Sequence, residues 1–256
     1  MTDRDKYYNK AKQEGYRSRS AYKLQQLDRT ADLFAPGDTV VDLGAAPGGW
    51  LQVAAEAVGS EGTVVGVDLQ RLRPLEADTV ETIRGDMTDE ETVERLHEAV
   101  GGGGVDVVVS DMAPNMTGEY SVDHARSIHL ARQALGVARD LLVPGGDLVV
   151  KAFDGPDLAD LRDDMEEDFE YVRSIHPEAS RDSSSEVYLV ANGYLTAPVA
   201  TGDELTVEIT DRGSEGDGIA HVDDFTVFVP DAEIGEEVTV RIDDVKPRFA
   251  FAERRD

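Results

Sequence analysis

Val40-Val41-Asp42-Leu43-Gly44-Ala45-Ala46-Pro47-Gly48-Gly49-Trp50 is the stretch that decides the fold of this chain. Apolar, β-branched residues run into a glycine-rich turn, and a helical pattern follows from Leu51 to Val58. Strand, tight loop and helix in that order bring backbone amides to a nucleotide-like ligand. Glycines stand at 44, 48 and 49, so the loop reads G-x-x-x-G-G and not the G-x-G-x-x-G of dinucleotide sites. Asp42 stands just ahead of it, where a carboxylate repels phosphate and attracts a cation. An adenosine cofactor carrying a sulfonium and an ammonium, S-adenosylmethionine, suits that charge better than a pyrophosphate. The same two features disfavour a nicotinamide oxidoreductase.

Outward from this loop the chain alternates short apolar runs with helical patterns. Runs at 39–43, 63–68, 80–83, 105–110, 146–151, 170–175 and 186–191 read as strands. Helical patterns fall at 49–58, 73–78 (weak), 90–100, 121–142 and 157–168. Such alternation implies βαβ units, a mostly parallel sheet and helices on both of its faces. Gly101–Gly104 reads as a helix stop and turn, and Pro144-Gly145-Gly146 as the stop of the long helix. The last two strands are joined by a polar loop, Pro177 to Ser185, so they are expected to pair antiparallel at the sheet edge. A sheet of this kind has the architecture of Rossmann-like methyltransferases.

Residues 193–200 read as a linker, and 201–256 change character. Runs at 205–209, 218–222, 225–229 and 237–242 are short strands separated by Gly/Asp turns, with no helix between them. They predict a small β-barrel. The expected division is therefore an α/β domain over 1–192, a linker over 193–200 and a β-barrel over 201–256.

The chain carries 53 acids against 25 bases over 256 residues, a net charge of −28, and no cysteine. That excludes disulfides, thiolate metal sites and a cysteine nucleophile. No apolar run approaches membrane-span length, and the polar start at Met1–Lys10 has no signal core. The expectation is a cytoplasmic monomer with neither membrane nor metal partners. Only six bases are lysine, and an acid-rich, lysine-poor surface is that of proteins working in strong salt, which screens self-repulsion. Residues 1–34 oppose the trend, with eight bases against five acids. Tyr7, Tyr8, Tyr16 and Tyr22 are interleaved with them, a pattern suited to RNA, alongside the plainer reading of a solvated amphipathic helix over 19–32 covering a sheet edge.

Ligands of doubly wound sheets bind beyond the carboxyl ends of the strands. Asp68 closes Val64-Val65-Gly66-Val67, where an acid bonds ribose hydroxyls, and Asp86 in Arg84-Gly85-Asp86-Met87 is placed to accept from an adenine amino group. Asp42 and the Gly44–Gly49 loop are left to the amino-acid end of the cofactor. Lys151 closes the apolar run Val149-Val150 and needs a partner if buried, and Asp111 at the end of the adjacent strand is the obvious one. Glu186 opens the last strand of the first domain after Ser183-Ser184-Ser185, and Lys23 lies in Ala21-Tyr22-Lys23-Leu24.

With these residues in place, 10–192 resembles the FtsJ/RrmJ (RlmE) family of ribosomal RNA 2′-O-ribose methyltransferases. The likeness runs through the Asp42–Trp50 loop, Asp68, Asp86, Ser110-Asp111-Met112-Ala113-Pro114-Asn115, Val150-Lys151 and Ser185-Glu186-Val187-Tyr188. It implies a catalytic tetrad of Lys23, Asp111, Lys151 and Glu186, with Lys151 as base. It likewise implies cofactor contacts at Gly48, Trp50, Asp68, Asp86 and Asp111, beside Asp42, Gly44, Gly49 and Met87 of the same loop and strand end. Lys151 serves as base only as the neutral amine, which burial and the second ammonium of Lys23 favour and the two acids oppose. The C-terminal piece looks like a TRAM domain, an RNA-binding β-barrel. The implied substrate is a uridine ribose of large-subunit ribosomal RNA, within the subunit. Transfer RNA, or RNA binding without catalysis, are the alternatives.

Overall fold

The computed structural model describes residues 4–181, 184–213, 216–223 and 225–255. Of the motifs named above, Ser183 lies outside them. The chain divides into two compact units, one of residues 1–167 and 171–192, the other of 168–170 and 193–256.

In chain order the first unit contains α1 (Arg4–Glu14), α2 (Ala21–Ala31), β1 (Thr39–Leu43), α3 (Gly49–Val58), β2 (Thr63–Asp68), β3 (Val80–Arg84) and α4 (Glu90–Val100). It continues through β4 (Val105–Ser110), α5 (Tyr120–Leu141), β5 (Leu142–Phe153), α6 (Leu158–Glu166), β6 (Phe169–Ile175) and β7 (Glu186–Tyr194). The strands form one seven-stranded sheet in the order β3-β2-β1-β4-β5-β7-β6. β1, β2, β3, β4 and β5 are mutually parallel, and β7 runs antiparallel to β5. Strand order reverses between β1 and β4, so the carboxyl ends of these two strands flank the crevice where such sheets take ligands. Val40, Val64, Val107, Val109, Val149, Tyr188 and Val190 face one way into a core closed by Leu24, Leu27, Trp50, Leu51 and Ala54 of α2 and α3. Because strand side chains alternate, Asp42, Asp68, Asp111, Lys151 and Glu186 continue those same rows to the strand ends.

Four expectations bear on the first unit, and three of them are corrected. First, the last two strands do lie side by side at the sheet edge as expected, with β6 outermost and β7 between it and β5. The α6 crossover carries the chain past the position that β7 then fills by pairing Lys151 with Tyr188 and Phe153 with Glu186. Second, residues 73–78 form no helix. Pro74 disfavours a helical Arg73, six residues are too few to nucleate a helix, and the carbonyls of Arg73 and Pro74 accept instead from the Arg17 guanidinium. Third, α2 does not cover an edge. Ala21, Leu24, Leu27 and Ala31 bury one helical stripe in the main core, and a further helix, α1, precedes it. Fourth, most N-terminal tyrosines are already engaged. Tyr22 is buried and its hydroxyl donates to Glu14, Tyr16 donates to Glu56, and Tyr7 packs on Tyr22. Tyr8 alone of the four is well exposed.

The second unit holds β8 (Glu204–Glu208), β9 (Asp211–Arg212), β10 (Gly218–Val222), β11 (Phe225–Val229), β12 (Glu237–Val245) and β13 (Phe249–Arg254). They form a six-stranded sheet, β8-β12-β13-β11-β10-β9, curled about Val207, Ala220, Val227, Val229, Val240, Ile242, Ala250 and Ala252. β13 and the short β9 add to the four strands expected. Val199 joins this core, so the segment expected to be linker contributes a packing residue. Among the described residues, no helix is long and apolar enough to cross a membrane.

Candidate functional site

The glycine loop leaves β1 with Gly44 at φ +81°, a conformation that disfavours a side chain, and a Cβ there would lie 2.4 Å from Met112 Cγ. Gly48 caps α3 at φ +105°. A Cβ on Gly49 would come within 2.2 Å of Ser18 Oγ, so the loop lies flat against the segment entering α2. Beside the loop opens a cleft of about 620 Å³ lined by Arg17, Ala46, Pro47, Gln70, Arg71, Leu72 and Arg73, within the range of small-ligand sites. Asp68 stands between the two segments that line it: Oδ2 accepts from Ala46 N at 2.9 Å and Oδ1 from Gln70 N at 2.7 Å.

Asp42 is buried, and neither of its carboxylate oxygens has a hydrogen-bond partner. Burial, with Asp111 and Asp68 nearby, pushes its carboxyl well above the usual range. A buried carboxyl without a partner is costly, and a cationic ligand removes the cost. The donor expected from the sequence, a sulfonium with an ammonium, fits that orphaned acid beneath the glycine loop, whereas the 620 Å³ cleft beside it is lined by Arg17, Arg71 and Arg73 and by no acid. Asp86 and Met87 follow β3. Asp86 Oδ1 accepts from Thr88 N and Oγ1 at 3.0 and 2.8 Å, and Met87 is buried. They do not line the 620 Å³ cleft. Trp50 is buried too: its indole Nε1 donates to Ser20 O at 2.9 Å and its ring lies 5.9 Å from that of Tyr188.

Lys23, Asp111, Lys151 and Glu186 come together at the ends of α2, β4, β5 and β7. Lys151 Nζ donates to Asp111 Oδ1 at 2.8 Å and to the Asp111 carbonyl, while Lys23 Nζ donates to Glu186 Oε2 at 2.8 Å. The partner anticipated for Lys151 is the one it has. Both lysines are more than nine-tenths buried, which is tolerable only because each is paired. Tyr188 joins the two pairs. Its hydroxyl donates to Asp111 Oδ1 at 2.7 Å and accepts from Lys23 Nζ at 3.2 Å. The chain Glu186–Lys23–Tyr188–Asp111–Lys151 is thus continuous. For Asp111, burial works to raise the pKa, but Lys151 and Lys23, with hydrogen bonds from Lys151 and Tyr188, outweigh it and hold the carboxyl below its usual range. Burial and the two acids push the Tyr188 phenol well up, so it stays protonated and can donate.

Tyr188 was not among the site residues expected from sequence. The signal was its spacing, two residues after Glu186 on a strand and therefore on the same face.

A model of the FtsJ-like methyltransferase family matches residues 16–194, and one of the TRAM domain matches 198–254. The chain is 65% identical, over all of its length and 95% of the relative's, to a ribosomal RNA large subunit methyltransferase E of Halorubrum lacusprofundi. It is 66% identical to the protein of that name from Haloquadratum walsbyi, over 99% of both chains. Among solved structures, a ribosomal RNA methyltransferase of Plasmodium falciparum is similar over 70% of this chain and 98% of its own, with 26% identity and a TM-score of 0.62.

Proposed function

Because the chain belongs to the FtsJ-like methyltransferase family and is an RNA methyltransferase, we propose that it methylates the 2′-hydroxyl of a ribose, at a uridine of 23S-type ribosomal RNA, with S-adenosylmethionine as donor. The observation that carries this reading is the linked chain of two lysines, two acids and Tyr188 at the strand ends, next to the glycine loop. Residues 1–192 are assigned the transfer reaction and 201–256 the contact with RNA, joined through 193–200. A ribosomal substrate puts the work in the cytoplasm, and nothing in the reaction requires more than one copy of the chain.

Asp42, Gly44, Gly48, Gly49, Trp50, Asp68, Asp86, Met87 and Asp111 would hold the donor: the acids answer its positive charge and hydroxyls, and the glycines let backbone approach it. When bound, the donor supplies a methyl group made electrophilic by a sulfonium. A ribose hydroxyl is a weak nucleophile, so the chain must align it and remove its proton as the new bond forms. Lys151 Nζ, as the neutral amine, is the acceptor of that proton. Asp111 and its carbonyl aim the amine, and Tyr188 and Lys23 fix Asp111 in turn. Glu186 balances Lys23, so the second ammonium is held at the site without being lost to solvent.

The experiment is a methyl-incorporation assay on naked ribosomal RNA, on large subunits and on transfer RNA, read as a block to alkaline cleavage at the modified position. A block at one uridine of the large-subunit RNA is expected. Modification of transfer RNA alone would change the substrate, and a methyl group on a base would overturn the reading.

A further inference from the structure

Tyr120, at the start of α5, is 58% exposed, yet its ring is not free to move. It stacks on the His124 imidazole with centroids 6.3 Å apart and planes 12° from parallel, and its hydroxyl donates to the Asp154 carbonyl. Asp154 in turn donates its N–H to the Ser185 carbonyl at 2.8 Å, directly before Glu186. The ring is therefore tied to the backbone that carries the lysine–acid chain.

Its support is built from the neighbouring pair Asp123 and His124, both buried. Asp123 accepts from Thr117 N and Oγ1 at 2.8 Å and from Gly118 N at 3.0 Å, closing the segment that follows Asp111. His124 Nδ1 donates to the Phe153 carbonyl at 2.9 Å, two residues beyond Lys151. Its Nε2 lies 3.2 Å from both the backbone N and the carboxylate of Asp157, so it holds that loop whether protonated or not. A Cβ on Gly155 would lie 2.5 Å from Nδ1, so this loop wraps the imidazole.

An aromatic ring that serves packing is buried. Here the ring lies offset-parallel beside the His124 imidazole, the hydroxyl is tethered and the remaining surface is left to solvent. Ordering such a ring in advance removes an entropic cost from binding a flat partner. We propose that Tyr120 is a stacking platform for a nucleobase of the RNA substrate, at or next to the nucleotide whose ribose reaches Lys151, with Asp123 and His124 as its positioning residues. This rests on the ribose-methyltransferase reading above.

The test compares Tyr120→Ala, Tyr120→Leu, Tyr120→Phe and Tyr120→Trp in the full-length, donor-loaded protein. The Kd for a fluorescein-labelled single-stranded RNA of mixed sequence is read by anisotropy, and KM and kcat are read on large-subunit RNA. Ala and Leu should raise Kd and KM about tenfold, the scale of one lost base stack, with kcat and donor affinity within about twofold of wild type. Phe and Trp, which keep a stacking face but lose the tether to the Asp154 carbonyl, should fall between wild type and Ala. An abasic residue placed in turn at the target and its two neighbours should, at one position, weaken wild type by the same factor while leaving Tyr120→Ala unchanged. Unchanged Kd in Tyr120→Ala, equal loss in Phe and Ala, or multiplying penalties at every abasic position would each overturn the platform. A wild type that methylates no ribose would overturn the function instead, while the Kd comparison still decides the platform.

Discussion

At the scale of single residues, Asp42 carries opposed demands. Its carboxyl titrates well above the 3.8 of an ordinary aspartate, so below that value folded and unfolded chains are both protonated and no cost arises. As pH rises past it, the unfolded chain releases the proton first, and stability falls until the folded pKa is passed. Asp42→Asn, neutral throughout, should therefore melt higher than wild type near neutral pH, with the gap closing toward pH ~4, by differential scanning calorimetry. The same variant should bind S-adenosylmethionine more weakly in titration calorimetry. A melting point equal to wild type at every pH would refute the argument. Lys151 differs, because its worth is kinetic. Lys151→Met keeps the apolar stem and loses the amine, so kcat should fall by at least about 10²–10⁴-fold while donor affinity moves less than about twofold. Turnover near the wild-type rate would remove Lys151 from the reaction.

At the scale of elements, the glycine loop and the entry to α2 act as one piece. Gly49→Ala drives a methyl group into Ser18 Oγ and should destabilise by about 1–3 kcal/mol, with loss of transfer because Lys23 rides on the same helix. Ser18→Ala in the same chain should restore most of both, and failure to do so would separate loop from helix. These couplings mark the limit of what the sequence discloses. The alternation of strands and helices was legible from hydrophobic period, and so were the strand-end acids, because they are local facts. The insertion of β7 between β5 and β6 was not, because strand order is set by partners distant in sequence. Residues 73–78 misled because their apolar spacing ignored Pro74 and the Arg17 guanidinium that takes their carbonyls. The alternation Phe249-Ala250-Phe251-Ala252 was legible but lay past the last turn signal.

At the scale of the whole molecule, charge dominates. A net −28 repels itself over about 10 Å at 0.1 M salt and over about 3 Å at 1 M. Melting temperature should therefore climb steadily as potassium chloride rises from 0.1 M to molar levels, and a flat curve would show that the acids are balanced locally.

The Lys23–Glu186 pair spans 163 positions of sequence, nearly the whole first unit. While the chain is being made, the donor loop, Asp111 and Lys151 emerge long before β7 does. A nascent or truncated chain ending ahead of Glu186 leaves Lys23 without its carboxylate and Asp111 without the Tyr188 hydroxyl. The acceptor centre is thus the last feature of the first unit to form, so the molecule becomes competent only once that unit is entire.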